Sequence, residues 1–372
     1  IIEQYLINVD ERTKISAEGD KIGNRLSSLI LDDVNYKSVH RGIIAVIDMI
    51  SSFRSFADNL SRVDLSPYQK ELEEILVLLN DPAFVPLAKE SSKSKLSYAA
   101  LADYDHVLRF RHREKIKKLL RHIYYLDVYI SVGKVAAERG FIFPQATIQD
   151  GNKLVLEGVY HPQLENPVAN DLCLSPENSV VFLTGANMAG KSTLMKSLGI
   201  AMYLAHMGFP VAAAKMEFSV MDGIYTTINL PDNLGMGTSH FYAEVLRIKK
   251  IAKELSLSRK LFVIIDELFR GTNVKDAYEA TVVITEEFAH KRDSMFIIST
   301  HIIEAGEVLK DRADNISFKY LPTHMDQHIP VYTYKLREGI TDDRHGMIII
   351  NNEGILDILE KGLKHHKRGA SS

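Results

Sequence analysis

Ser179-Val-Val-Phe-Leu-Thr-Gly-Ala-Asn-Met-Ala-Gly-Lys-Ser192 decides the fold. The run Ser179 to Leu183 is apolar and β-branched, which predicts a strand, and a helical segment follows from near Lys191. Between them, Gly185 to Ser192 matches G-x-x-x-x-G-K-[ST] in the strand–loop–helix context that this pattern requires. Gly185 and Gly190 let the backbone turn tightly enough for successive N–H groups to face phosphate oxygens. The helix N-terminus adds the positive end of its dipole. Lys191 is expected to reach the terminal phosphates, and the Ser192 hydroxyl to ligate Mg²⁺. Short strings of this kind also occur by chance in flexible loops, so the flanking elements carry the reading.

Two further stretches converge on the same chemistry. Leu261-Phe-Val-Ile-Ile-Asp266-Glu267 lies about 75 residues (266 − 191) downstream and reads as an apolar strand ending in two carboxylates. Strand ends of this kind place Asp266 to hold Mg²⁺ through water and Glu267 to orient or deprotonate an attacking water. Phe296-Ile-Ile-Ser-Thr-His301 is a third apolar run, and its terminal histidine is placed to sense a γ-phosphate. Near-continuous apolar strands alternating with helical segments indicate a sheet buried on both faces.

Upstream the pattern changes. In the first ~140 residues glycine is sparse and apolar residues recur three and four apart, so this part is expected to be helical. Ile116, Leu119, Leu120, Ile123, Leu126 and Ile130 form one apolar stripe, on a helix expected from about Tyr98 to Arg139 and closed by Gly140. Asn80 to Ser97 reads as an exposed connection. Pro144 falls at the change, giving domains 1–143 and 144–372. The 372 residues are 46% apolar and 25% charged, with a formal net charge of −3, which excludes a disordered chain and a polycation. The single cysteine, Cys173, excludes an internal disulfide and fits a reducing cytoplasm. No apolar run approaches the roughly 20 residues of a spanning helix. The chain begins at Ile1 and not Met, which leaves residues upstream open.

Taken together, these stretches resemble the MutS family of DNA mismatch-repair ATPases, a branch of the ABC ATPase superfamily. Thr184-Gly-Ala-Asn-Met-Ala-Gly-Lys-Ser-Thr193 resembles the family's TGPNMGGKST, Asp266 to Thr272 its DEIGRGT, and Ser299-Thr-His301 its ATH. Asp232 to Glu244 resembles the signature stretch DDLxxGxSTFxxE, and His161-Pro162 with Ala169-Asn170 the HP…AN pair upstream. The similarity runs from about Tyr125 to Gly346. It implies an α/β P-loop NTPase fold of the ABC-superfamily type, preceded by an all-α core/lever domain. It implies ATP and Mg²⁺ as cofactors, held by Gly185, Asn187, Gly190, Lys191, Ser192 and Thr193, with Ser192 and Asp266 on the metal. It also implies a homodimer in which each nucleotide is completed by the partner's signature serine, here Ser239, so Glu267, His301 and Ser239 are the expected catalytic residues. Asp276 matches a position at the subunit contact. Ala186, Ala189, Phe269, Asn273 and His240 depart from the pattern, and Pro167 stands where the family has an aromatic against adenine.

No Phe-x-Glu triplet, the family's mismatch wedge, occurs in the chain. The best nucleic-acid candidate is Arg109 to Arg121, with seven Lys/Arg and one Glu in thirteen residues, suited to tracking phosphates of duplex or structured DNA. A solvated helix face is its plain alternative. A ribosome- or protein-directed switch ATPase and a non-hydrolysing ATP-gated scaffold are the competing functions, the latter disfavoured by Lys191, Asp266 and Glu267. An ABC transporter subunit is disfavoured by the absence of an LSGGQ-type signature.

Overall fold

The structure, a computed structural model, describes residues 1–7, 33–64, 66–87, 90, 96–147, 151–228, 240–269, 272–326, 329–341, 354–355 and 358–359. The chain forms two compact units, Ile1–Ser131 and Val132–Ser372. The division falls within a helix, upstream of the change in composition near residue 143.

Every described element wholly within the first unit is helical: α1 (Ile2–Ile7), α2 (Asp33–Leu60), α3 (Gln69–Leu79) and α4 (Tyr98–Asp105), followed by α5 (Arg113–Arg139), which crosses the division. Val39, Ile43, Val46, Ile47 and Ile50 repeat at helical spacing along α2 and are buried against Leu72, Ile75 and Leu79 of α3 and Ile116 and Leu119 of α5. Ser97 caps α4, its side chain accepting from Ala100 N–H. At the far end of α5, Gly140 adopts φ +67° and Phe141 N–H reaches the Ala136 carbonyl at 2.9 Å. That six-to-one bond across a left-handed glycine is a Schellman stop, as expected at this position.

The helix expected from Tyr98 to Arg139 is interrupted. Residues His106–Arg111 form a π turn, and His112 N–H bonds the Val107 carbonyl five residues back at 2.8 Å. A buried ion pair lies within the interruption. Arg109 and Asp105 are 1% and 0% exposed and meet through two hydrogen bonds. Tyr5 donates its hydroxyl to Asp105 Oδ1 at 2.9 Å, and its ring lies 5.3 Å from the Arg109 guanidinium. Burial, reinforced by the Asp105 carboxylate, pushes the Tyr5 hydroxyl well above the usual tyrosine range, so it remains a donor. Arg109, expected among the phosphate-tracking cations, is therefore a core residue. Two neighbours are also engaged: Lys115 pairs with Asp81, and Lys117 with Glu114. The apolar stripe shortens too, since Ile130 is 56% exposed.

The second unit is built on a six-stranded sheet, ordered β12-β9-β4-β8-β7-β6. Its strands are β4 (Val180–Gly185), β6 (Gly223–Thr227), β7 (Leu261–Asp266), β8 (Met295–Ser299), β9 (Ile316–Leu321) and β12 (Arg337–Glu338). All neighbours are parallel except β12 against β9. Every residue of β4, β7 and β8 is buried, which explains their unbroken apolar runs. Alternate residues feed two cores. Val181, Leu183, Ile264 and Ile297 face α6 (Lys191–His206) and a second sheet, β1-β5-β2-β3. That sheet comprises β1 (Gln145–Thr147), β2 (Leu154–Val159), β3 (Asn170–Leu174) and β5 (Lys215–Ser219). Phe182, Val263, Phe296 and Ile298 face α7 (His240–Ser256), α8 (Val274–Ala289) and α9 (Ile303–Arg312). A hairpin, β10 (Thr323–Asp326) with β11 (Ile329–Tyr332), follows β9.

Register aligns the strand ends: Leu183 and Asp266 both pair with Ser299 of the strand between them. The residues that follow all three strands thus emerge at one edge, where open α/β sheets hold ligands.

Removing Arg109 alone strands a buried carboxylate. We expect Arg109→Met to cost roughly 3–5 kcal/mol, and the Asp105→Leu/Arg109→Met pair to recover most of it. Chemical denaturation of the three proteins decides this; equal losses in the single and double variants would show that the pair does not set the energetics of the turn.

Candidate nucleotide site

The Gly185–Gly190 loop leaves β4 and wraps the first turn of α6. Met188 and Gly190 have φ +67° and +102°. A Cβ at Gly190 would stand 3.0 Å from the Tyr334 ring, so glycine serves here for close approach as well as for the turn. Lys191 is 6% exposed, and its ammonium donates to the carbonyls of Gly185 (2.7 Å) and Ala186 (3.2 Å). Asn187 and Thr193 line the same cleft from the loop and the helix.

Ser192 Oγ donates to Asp266 Oδ2 at 2.7 Å. The other oxygen, Asp266 Oδ1, is buried without a hydrogen-bond partner. A hydroxyl and a carboxylate oxygen with spare capacity are hard ligands of the kind Mg²⁺ takes, and that ion needs only one or two protein groups beside phosphate and water. The residues present therefore fit the metal.

Glu267 follows with φ +54°, and its N–H is held by the Ser299 carbonyl at 3.0 Å. A non-glycine residue held in this region costs about 1–3 kcal/mol and persists only where neighbours over-determine it. His301 Nε2 lies 2.9 Å from Glu267 Oε1. Thr300, absent from the sequence expectations, accepts the Ile302 N–H on its hydroxyl at 3.0 Å and so shapes the turn that presents His301.

Asn187, Lys191, Ser192, Thr193 and Glu267 border a cleft of about 590 Å³, within the roughly 300–1,000 Å³ of small-molecule sites, while Thr300 and His301 line a separate, smaller hollow beside it. Leu164, Pro167, Val168 and Tyr334 add apolar and aromatic lining to the same cleft. Tyr334 was not anticipated. It follows the β10–β11 hairpin far along the chain, and no local pattern marks it; only the approach of its ring to Gly190 does. Ser239 lies outside the described residues. Asp276 sits in the cap of α8: its N–H donates to Asn273 Oδ1 at 2.9 Å, and its carboxylate accepts from Asn273 Nδ2 at 2.6 Å.

A family model described as MutS domain V matches residues 181–367, the stretch carrying this loop, both carboxylates and the histidine. The chain belongs to the MutS family. Relatives named DNA mismatch repair protein MutS include one from Fusobacterium nucleatum, 29% identical over 250 residues, covering 66% of this chain and 27% of that protein. One from a Thermotoga species is 29% identical over 276 residues, covering 70% and 34%. One from Bacillus thuringiensis is 32% identical over 240 residues, covering 63% and 26%. The chain thus spans about a third or less of the length of these MutS relatives. Domain V of MutS is of the ABC ATPase type, in agreement with the mixed α/β unit seen here.

One departure from the MutS pattern has a structural account. Phe269 replaces a glycine and keeps φ +62°, its ring 5% exposed and 5.7 Å from that of Phe241 on α7. The buried ring offsets a backbone that glycine would adopt freely. Phe269→Ala and Phe269→Gly both delete the ring, but only glycine relieves the backbone. We expect the glycine variant to be the more stable of the two by about 1 kcal/mol in thermal melts. A less stable glycine variant would mean that the loop is not strained at this position.

Proposed function

We propose that this chain is the ATP-binding and ATP-hydrolysing part of a MutS-type P-loop ATPase that works as a dimer on DNA. The observation carrying the reading is the convergence of Lys191, the Ser192–Asp266 bond and the Glu267–His301 contact on one sheet edge beside one cleft. Lys191 exchanges the carbonyls of Gly185 and Ala186 for phosphoryl oxygens. Ser192 Oγ and Asp266 would hold Mg²⁺, which would supply charge neutralisation for the phosphates. Glu267 accepts a proton as the water oxygen bonds the γ-phosphorus and the bond to the ADP oxygen breaks. His301 orients the Glu267 carboxylate and contacts the γ-phosphate. The nucleoside lies toward Pro167, Val168 and Tyr334.

Ser239 of a second copy completes the site, with its hydroxyl and the start of α7 aimed at the γ-phosphate. ATP then favours the closed dimer and hydrolysis releases it, a population shift that rearranges the helical domain on DNA. The proposed functional domains remain 1–143 and 144–372. Among the basic residues, Arg111, Lys118 and Arg121 stay exposed for duplex phosphates once Arg109 is assigned to the core. The names of the relatives support a place in DNA repair.

Glu267→Gln should bind ATP yet lose turnover by at least about 10²-fold; undiminished steady-state hydrolysis would remove Glu267 from the mechanism. Lys191→Ala should abolish tight ATP binding. Turnover measured with homoduplex, mismatched, branched and single-stranded DNA tests the partner, and indifference to all four would overturn the DNA reading.

The shared site has its own test. Ser239→Ala should slow hydrolysis roughly 10²-fold, as loss of one transition-state donor does. Mixed with Lys191→Ala, it should regain activity, because a mixed dimer contains one undamaged composite site. Mixtures no more active than the separate variants would refute completion in trans.

A further inference from the structure

One wall of the cleft is assembled from segments far apart in sequence, and one buried side chain joins them. Asn170 opens β3 and is 4% exposed. Its amide nitrogen donates to the carbonyls of Val168 (3.2 Å) and Tyr334 (2.9 Å), and its amide oxygen accepts from Leu336 N–H at 2.7 Å. Both donors are thus used, on the two backbone segments whose side chains form the cleft walls. Lys335 adds a bond from its ammonium to the Ala169 carbonyl at 2.6 Å.

Tyr334 needs this support. It holds φ +55°, a conformation costly for a residue with a Cβ, while its ring packs over Gly190 at the close of the phosphate loop. Asn170 grips the backbone at the Tyr334 carbonyl and the Leu336 N–H, directly after the strained dihedral. Leu164, Pro167, Val168 and Tyr334 offer apolar and flat surfaces to the cleft. Such walls recognise the face of a base by stacking, with little reading of its edge.

We propose that Asn170 is a positioning residue that sets the Tyr334 ring and the Pro167–Val168 wall for a purine base, and so supplies the base-dependent part of nucleotide affinity. This rests on the nucleotide reading of the cleft. Asn170 makes no hydrogen bond to the phosphate loop or to the reacting groups. Its bonds run to the Val168 and Tyr334 carbonyls and the Leu336 N–H, so its proposed effect falls on the nucleoside and not on the triphosphate. ATP and GTP are expected to depend on it alike.

The test uses the full chain with ATP, GTP and inorganic tripolyphosphate, which carries the charge of the tail without a base. Asn170→Ala should raise KM for ATP and for GTP by about tenfold, the scale of one lost stacking contact, with kcat within about twofold. Its inhibition constant for tripolyphosphate should match that of the unaltered protein. In a Tyr334→Ala background the same change should add little. If Asn170→Ala does not fold, Asn170→Asp, which keeps the acceptor for Leu336 and loses both donors, gives the same readout. A parallel loss of tripolyphosphate affinity, or an unchanged KM, would overturn the role of Asn170. An unaltered protein that binds tripolyphosphate as tightly as ATP would overturn the nucleoside reading itself, and this role with it.

Discussion

The bond between Ser192 and Asp266 depends on strand register. Ser192 opens the helix after β4, and Asp266 ends β7, two strands away. They meet at 2.7 Å because β8 pairs in parallel with both neighbours and brings all three ends level. A slip of one residue in any of these strands would invert its side chains between the two cores and remove its chemistry from the edge. Packing therefore enforces the site: Phe182, Val263 and Phe296 must face one core while Leu183, Ile264 and Ile297 face the other.

The helical unit rests on a different constraint. Its buried charges, Asp105 and Arg109, satisfy one another at the start of a π turn. An apolar pair would pack at lower desolvation cost, so the ion pair is not by itself a source of stability. Tyr5 joins it, tying a short N-terminal helix to the turn by a bond across a hundred residues of chain.

Much of the site was legible because its chemistry is local. Gly185 to Ser192, Asp266-Glu267 and His301 each sit at the end of an apolar strand, and strands buried on both faces declare themselves by composition. Features set by tertiary contact were not legible. Arg109 lies in a basic run and reads as solvated until the partner Asp105 and the Tyr5 ring are seen. The break at His106–Arg111 has no proline or glycine to announce it. Tyr334 and Asn170 acquire meaning only when β3 and the segment after β11 are brought together. Phe269 was visible as a departure, but its left-handed backbone and its contact with Phe241 were not.

The resting place of Lys191 has a consequence for binding. Its ammonium is already solvated by two carbonyls of its own loop, at 2.7 and 3.2 Å. The loop therefore holds no bare buried charge, and its curvature is sustained from within. On the nucleotide reading proposed above, phosphate would meet a cation already held by carbonyl oxygens, and binding would exchange one set of oxygens for another.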